Sequence, residues 1–145
     1  MRMMAHPIIQ AVLLCDGAWK VGDKWTIQGI FNRITSKAYP SLFPKFFIYV
    51  NLVELMIRNG TSLAVEIRHS SLEEIESPSG PVFRGTMDFS LGGEPGTMVG
   101  PVGFDFAVPV DEVEFPHAGT YDLVFLAGDT LLGLWTLRAE VVKPE

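Results

Sequence analysis

The sequence predicts an all-β fold, an antiparallel immunoglobulin-like β-sandwich of about eight or nine strands. Alternation of apolar and polar residues with a period of two dominates the chain, and no long window has the spacing of an amphipathic helix. Two-residue turn signals, Gly22-Asp23, Asn59-Gly60 and Gly128-Asp129, separate several of these runs. The segment 114–142 contains a turn, an alternating strand, a tight turn and a longer apolar strand, which is a common ending for a β-sandwich.

A chain of 145 residues is expected to form one domain, 1–145, with residues 1–7 as a frayed tail. No repeat, low-complexity tract or linker divides the sequence. The predicted strands are, in chain order, 8–16, 18–21, 24–34, 46–57, 62–70, 81–91, 101–110, 119–127 and 130–142.

The tight turns predict three hairpins, and their registers assign faces because directly opposed residues share a face. A hairpin at Asn59-Gly60 pairs Leu52 with Ile67 and Val50 with His69. Alternate positions of these two strands then form a core face: Ile48, Val50, Leu52, Met56, Leu63, Val65 and Ile67. The connector 38–44 carries two prolines, which cannot donate to a central ladder, so we expect it to cross from one sheet to the other.

Charge and composition exclude several partners. The net charge is -6 and no two Lys or Arg residues are adjacent, so neither nucleic acid nor an anionic membrane surface is an expected partner. No apolar run approaches the roughly 20 residues that span a bilayer. Cys15 is the only cysteine and lies in an apolar run, so it is expected to be a buried core residue of a cytoplasmic protein.

The sequence lacks the usual signatures of an enzyme. His6, His69 and His117 are far apart in sequence and share no metal-ligand spacing, and there is no G-x-S-x-G motif. Asp105 alternates with apolar residues and is expected to face solvent. We therefore expect no catalytic residue, no metal and no cofactor.

One segment predicts a structural hydrogen bond. Gly119 lies two residues before Tyr121 at the start of a strand, which resembles the tyrosine corner of immunoglobulin-like sandwiches. In that arrangement the phenol bonds back to the backbone a few residues upstream and fixes the corner.

The final hairpin predicts an interaction surface. A register centred on Gly128-Asp129 pairs Leu126 with Leu131 and Leu123 with Leu134, which makes both faces apolar. The expected core face is Tyr121, Leu123, Phe125, Leu132 and Leu134. The expected protein interface is the opposite face, Val124, Leu126, Leu131, Trp135 and Leu137, since a large exposed apolar patch usually marks an interaction site.

Two functions are compatible with this pattern. The first is a non-catalytic binding or assembly module that self-associates through this face, most simply as a two-fold homodimer, or that binds another protein there. The second is a ligand-binding or hydrolase-like sandwich with a site in the loops 36–45 and 92–100. The loop 92–100 or the N-terminal segment is a further candidate for covering the apolar face.

Several segments resemble a family of short bacterial β-sandwich proteins of unknown function. The resemblance rests on Leu14-Cys15-Asp16, on Gly29 to Ile34, on the Tyr39-Pro40 connector and on Gly119-Thr120-Tyr121 before a terminal hairpin. The family pattern usually has Phe-Pro in the connector, where this chain has Tyr39-Pro40. The resemblance implies a bacterial, cytoplasmic β-sandwich and brings no activity or cofactor.

Overall fold

The structure is a computed structural model that describes residues 8–70, 80–88, 94 and 96–142. The predicted tail 1–7 and the end of the predicted strand 81–91 lie outside this part of the chain. The described strands are β1 (Ile8–Val21), β2 (Lys24–Phe31), β3 (Arg33–Ser36), β4 (Ser41–Phe43), β5 (Phe46–Arg58), β6 (Ser62–His69), β7 (Phe83–Asp88), β8 (Met98–Val110), β9 (Val113–Phe115), β10 (Gly119–Ala127) and β11 (Thr130–Val141).

The strands form two large sheets and one small one. The four-stranded sheet has the order β2-β1-β5-β8, the five-stranded sheet has the order β3-β11-β10-β6-β7, and β4 pairs with β9. All these pairings are antiparallel except β3 with β11, which is parallel. The buried core joins the inner faces of both large sheets, with Val50 and Leu52 from one and Ile67 and Leu123 from the other.

This topology confirms the predicted fold class. The neighbours β11, β10 and β6 have the G-F-C order of an immunoglobulin domain, and β7 adds the C′ strand of the variable type. In the other sheet, β1, β5 and β8 take the A, B and E positions. The described residues form eleven strands, more than expected, because the two short strands β4 and β9 were not predicted and one predicted strand is divided, while two other predicted strands are merged into β1.

The predicted hairpin at Asn59-Gly60 is wrong. The strand before it, β5, pairs with β1 and β8, whereas the strand after it, β6, pairs with β10 and β7. The turn instead carries the chain between sheets, and its backbone is tied to the start of β8 by the bond from Asn59 N–H to the Thr97 carbonyl. The predicted core face is nevertheless buried at every position whose side chain the structure describes, which leaves out Met56, since alternation along each strand fixes the inward side whichever strand lies beside it.

The predicted strand 24–34 breaks at Asn32, because β2 belongs to the four-stranded sheet and β3 to the five-stranded sheet. The predicted strands 8–16 and 18–21 are one strand, β1. The hairpins at Gly22-Asp23 and Gly128-Asp129 are confirmed by the pairing of β1 with β2 and of β10 with β11. The proline connector after β3 leads to β5 in the other sheet, as expected.

The hairpin formed by residues 17–28 of β1 and β2 is an arm that curls over the four-stranded sheet. Beyond Cys15, β1 no longer pairs with β5. On β1, Lys20 pairs with Trp25 of β2, and Leu13 pairs with Tyr49 of β5. Lys20 and Leu13 are seven residues apart along β1. A straight ribbon would separate Trp25 from Tyr49 by roughly 20 Å. Their ring centroids are only 5.6 Å apart, so the arm turns back over the outer face of the sheet.

The base of the arm contains a glycine that a side chain would disturb. Gly29 has a φ of +69°, and a Cβ atom there would lie 2.2 Å from Oδ2 of Asp16, which faces it on β1. Both the left-handed backbone and the close approach therefore require glycine at this position.

We predict that Gly29→Ala lowers the free energy of unfolding by about 2–4 kcal/mol, through left-handed strain and overpacking against Asp16. Gly22→Ala is the matched control, because Gly22 also has a positive φ of 63° but no neighbouring atom within 4 Å of its Cβ position. The control should cost only about 1–2 kcal/mol. Urea denaturation of both variants measures the difference, and equal losses would contradict the role given to Asp16.

Candidate functional site: a leucine patch and a histidine corner

The terminal hairpin contains a bulge that the sequence register did not include. Leu126 is opposite Leu131, as predicted. The next pair is Phe125 with Gly133, so Leu132 is an extra residue of β11. Every later residue of β11 is therefore displaced by one position, and Leu123 is opposite Trp135 rather than Leu134.

This displacement corrects the predicted interface. Leu137 is fully buried and Trp135 packs against the core, so neither lies on the outer face. Leu134, which was predicted to face the core, is 51% exposed. Val124 does lie on the outer face but is already buried there by its neighbours. The five predicted interface residues therefore do not form one surface, because a single inserted residue reverses the sides of a strand.

The apolar side chains that do share the outer face form a smaller surface, here named the leucine patch: Leu126, Leu131 and Leu134. Leu131 is 55% exposed and is opposite Leu126, while Leu134 is opposite Val124. The patch lies where β11 has no described neighbour on its far side, because β3 pairs only with Arg138 to Val141.

Charged side chains border the leucine patch on the β6 side. Glu66 is opposite Val124 and is buried, yet its carboxylate forms ion pairs with both Arg68 and Arg84. Both guanidinium groups are about half exposed. A buried carboxylate needs such partners, and the group they form limits the apolar surface to the β10–β11 hairpin.

The predicted tyrosine corner is present. The Tyr121 hydroxyl donates to the His117 carbonyl at 2.6 Å, and the His117 N–H donates to the Tyr121 hydroxyl oxygen at 3.3 Å. Tyr121 is fully buried, so this bond satisfies a hydroxyl that water cannot reach. The corner therefore fixes the chain where it enters β10.

The corner also contains two histidines that sequence spacing did not bring together. His69, at the end of β6, pairs with Tyr121 of β10, and its Nδ1 lies 2.9 Å from Nε2 of His117. The His117 ring stacks on Tyr121 at a centroid distance of 5.3 Å. The two histidines are 48 residues apart, and only the β6–β10 ladder makes them neighbours.

The hydrogen bonds assign the protons of this histidine pair. His117 Nδ1 lies 3.0 Å from the Ala118 carbonyl, which can only accept, so Nδ1 carries the hydrogen. In the neutral ring Nε2 then accepts from Nδ1–H of His69. The remaining lone pair of His69 is on Nε2, which is buried without a hydrogen-bond partner in the described structure. An added proton at His69 Nε2 would have no acceptor among the described residues. The pKa of His69 is lowered by burial and, to a smaller extent, by electrostatic repulsion from His117.

The described parts of the loops 36–45 and 92–100 lie at opposite ends of β5. Phe46, which follows the first loop, is opposite Val110, whereas Met98 of the second is opposite Arg58 at the other end of β5. A strand of that length separates the loops by roughly 40 Å. Residues 92, 93 and 95 lie outside the described chain.

A polar cluster lies beneath the arm. The Tyr49 hydroxyl donates to Oδ2 of Asp105 at 2.7 Å, and burial and this bond raise the pKa of Tyr49. Asp105 is thus on the outer face, as predicted, but it is hydrogen-bonded rather than simply solvated. Trp25 Nε1 and Asn51 Oδ1 are buried nearby without partners among the described residues.

Other candidate chemistry is limited in the described residues. Cys15 is fully buried, as predicted, and burial followed by the Asp16 charge raises its pKa, which disfavours the reactive thiolate. No group of three His, Cys, Asp or Glu side chains suited to a metal ion occurs among these residues. They also include no helix of the length and apolarity needed to cross a membrane.

Comparison with known protein families identifies the family to which the chain belongs. The profile of DUF6941, a family of unknown function, matches residues 10–140. The chain belongs to the DUF6941 family. This confirms the resemblance to a family of unknown function, and no curated protein matches the chain. Membership therefore brings no activity, ligand or partner to this DUF6941 protein.

We predict that Tyr121→Phe costs about 1 kcal/mol of unfolding free energy, the usual net worth of one hydrogen bond, because it removes the donor to the His117 carbonyl. Tyr121→Leu should cost about 2–4 kcal/mol more, since it also removes the buried ring. Chemical denaturation reports both values. An unchanged midpoint for the phenylalanine variant would show that the corner bond contributes nothing.

The histidine corner predicts a pH dependence. The folded state lowers the pKa of His69, so below the unfolded value of about 6.5 the unfolded chain binds more protons than the folded chain. The free energy of unfolding should therefore be highest above the unfolded-state pKa of about 6.5. It should decrease as the pH falls through the lowered pKa of His69 in the folded state. Melting temperatures from pH 8 to pH 5 measure this loss.

His69→Asn is the matched variant for that experiment, because its amide can still donate to His117 but does not titrate. It should show a shallower fall of melting temperature with acidification than the wild type. The same fall in both proteins would assign the pH dependence to other groups.

Proposed function

We propose that this protein is a non-catalytic binding or assembly module that self-associates through the leucine patch, most simply as a two-fold homodimer. The observation that supports this function is the exposure of Leu131 and Leu134 beside Leu126 on the outer face of the five-stranded sheet. Adjacent exposed leucines on a sheet face are costly in water and usually mark a contact with another molecule.

The size of the leucine patch indicates a weak contact. Leu131 and Leu134 each keep about half of their surface exposed, so burying each would contribute about 1 kcal/mol. A two-fold contact uses each residue twice, which gives about 4 kcal/mol. That is close to the lower end of the entropic cost of association, about 4–15 kcal/mol. We therefore propose a reversible association at high protein concentration rather than an obligate dimer.

Two further features support an assembly role over catalysis. The chain's own arm contacts the outer face of the four-stranded sheet through Trp25 and Tyr49, whereas Leu131 and Leu134 stay exposed on the outer face of the other sheet. The alternative ligand-binding or hydrolase-like function has less support, because the described parts of its two proposed loops lie at opposite ends of β5.

We further propose a bacterial cytoplasm as the compartment. Cys15 is the only cysteine and is buried, so the fold uses no intramolecular disulfide. That usage is typical of reducing compartments, and the resemblance to bacterial proteins supports the source.

We predict that Leu134→Glu abolishes association through the patch without changing the melting temperature by more than a few degrees, because the side chain is already half exposed. Leu42→Glu is the matched control, since Leu42 is 61% exposed on the separate strand β4 and should leave association unchanged. Sedimentation velocity over a range of concentrations measures both. Equal association of wild type and Leu134→Glu would reject the patch, as would dissociation caused by the control.

A further inference from the structure

The four edges of the two large sheets differ in how they resist pairing with another chain. An open edge strand offers unpaired N–H and C=O groups, and proteins usually blunt it with proline, charge or shortness. The edge strand β8 contains Pro101 and Pro109, and β7 carries exposed Arg84 and Asp88. The edge strand β3 has only four residues.

The fourth edge strand, β2, has none of these protections. It is eight residues long and contains no proline. Its one charged residue, Lys24, is the first of the strand. In the described part of the chain, β1 is the only strand that pairs with β2, so its other edge is open.

The alternation of hydrogen-bonded pairs between β1 and β2 shows which backbone groups of β2 point to its open edge. A two-residue turn joins Val21 to Lys24, so these two residues form a hydrogen-bonded pair. Hydrogen-bonded pairs then alternate along the ladder, which makes Thr26 and Gln28 bond to β1. The N–H and C=O groups of Trp25 and Ile27 therefore point to the open edge.

The same segment is complementary to itself in an antiparallel arrangement. With a two-fold axis at Thr26, Trp25 is opposite Ile27 of a second copy, and these are the residues whose backbone groups point outward. Lys24 is opposite Gln28, and Thr26 is opposite the second Thr26, so no like charges meet. A two-fold interface requires this kind of self-complementarity.

We propose that β2 is a second self-association edge, which pairs antiparallel with β2 of another copy of this chain about Thr26 and joins the two-stranded arms of the two copies into one four-stranded sheet. Four backbone hydrogen bonds, two for each Trp25–Ile27 pair, hold the contact. Exposed Trp19 and Val21, the β1 neighbours of Thr26 and Lys24, flank the new pairing.

This pairing does not depend on the leucine patch, because it uses the other sheet. If both contacts operate, each copy has two different two-fold surfaces, and the protein assembles beyond a dimer into closed tetramers or open chains. The two surfaces can be removed separately.

A charge-swap pair tests the register. Gln28→Glu places a carboxylate opposite Lys24 of the partner and should tighten β2 pairing, whereas Gln28→Lys places like charges together and should weaken it. The expected changes in dissociation constant are opposite in sign and roughly 2- to 30-fold each, since the contact occurs twice in the dimer. Both substitutions are made in the Leu134→Glu background, so that only β2 pairing is measured. Equal effects of the two substitutions, or a strict monomer in that background at all concentrations, would overturn the proposal.

Amide hydrogen exchange gives a readout that is independent of size. The Trp25 and Ile27 amides should exchange fast in dilute protein and become protected as concentration rises, while those of Thr26 and Gln28 stay protected throughout. Protection of Trp25 and Ile27 at every concentration would mean that another segment of the same chain occupies the edge, which would reject the second copy.

The two proposals fail in distinguishable ways. If the leucine patch is wrong, Leu134→Glu leaves the wild-type assembly unchanged, while Gln28→Lys still weakens it. If β2 pairing is wrong, Leu134→Glu yields a monomer and neither substitution at Gln28 has an effect on it.

Discussion

The position of one extra residue, Leu132, decides what the surface of this protein offers to other molecules. Because successive side chains of a strand point to opposite faces, the bulge between Phe125 and Leu126 reverses the sides of all later residues of β11. The bulge directs the side chains of Trp135 and Leu137 towards the core and that of Leu134 to the outer face. Without the bulge the core would lose a tryptophan, and the outer face would carry a much larger apolar surface.

The outer faces of the two large sheets are shielded from solvent in different ways. On the four-stranded sheet, the arm turns back near Asp16 and Gly29 and places Trp25 against Tyr49, so the chain covers part of its own outer face. On the five-stranded sheet, paired charges around Glu66 limit the exposed apolar area to one hairpin. The unusually apolar composition, 48% hydrophobic residues, is therefore absorbed largely within the chain. In the described part of the chain, the leucine patch and the edge strand β2 stay open.

The histidine corner illustrates how sequence-distant residues acquire a shared chemistry. Tyr121 is fixed by a bond to the backbone only four residues away, so it was visible in the local pattern. His69 joins it because β6 lies beside β10, a neighbour relation that belongs to the sandwich and not to either segment. The result is a pair of hydrogen-bonded rings in which Nε2 of His69 is buried without a partner among the described residues, and burial lowers the pKa of His69.

The sequence alone determined most of the longer strand segments, the inward face of β5 and β6, the tight turns at Gly22-Asp23 and Gly128-Asp129, and the tyrosine corner. Each of these depends on residues within a few positions of one another, where side-chain alternation and backbone preference act directly. Only the tertiary structure decided that Asn59-Gly60 connects two sheets, that the arm curls back, and that β11 carries a bulge. Those features depend on which strands are neighbours and on how the core fills, and both are set by packing between distant segments rather than by any local pattern.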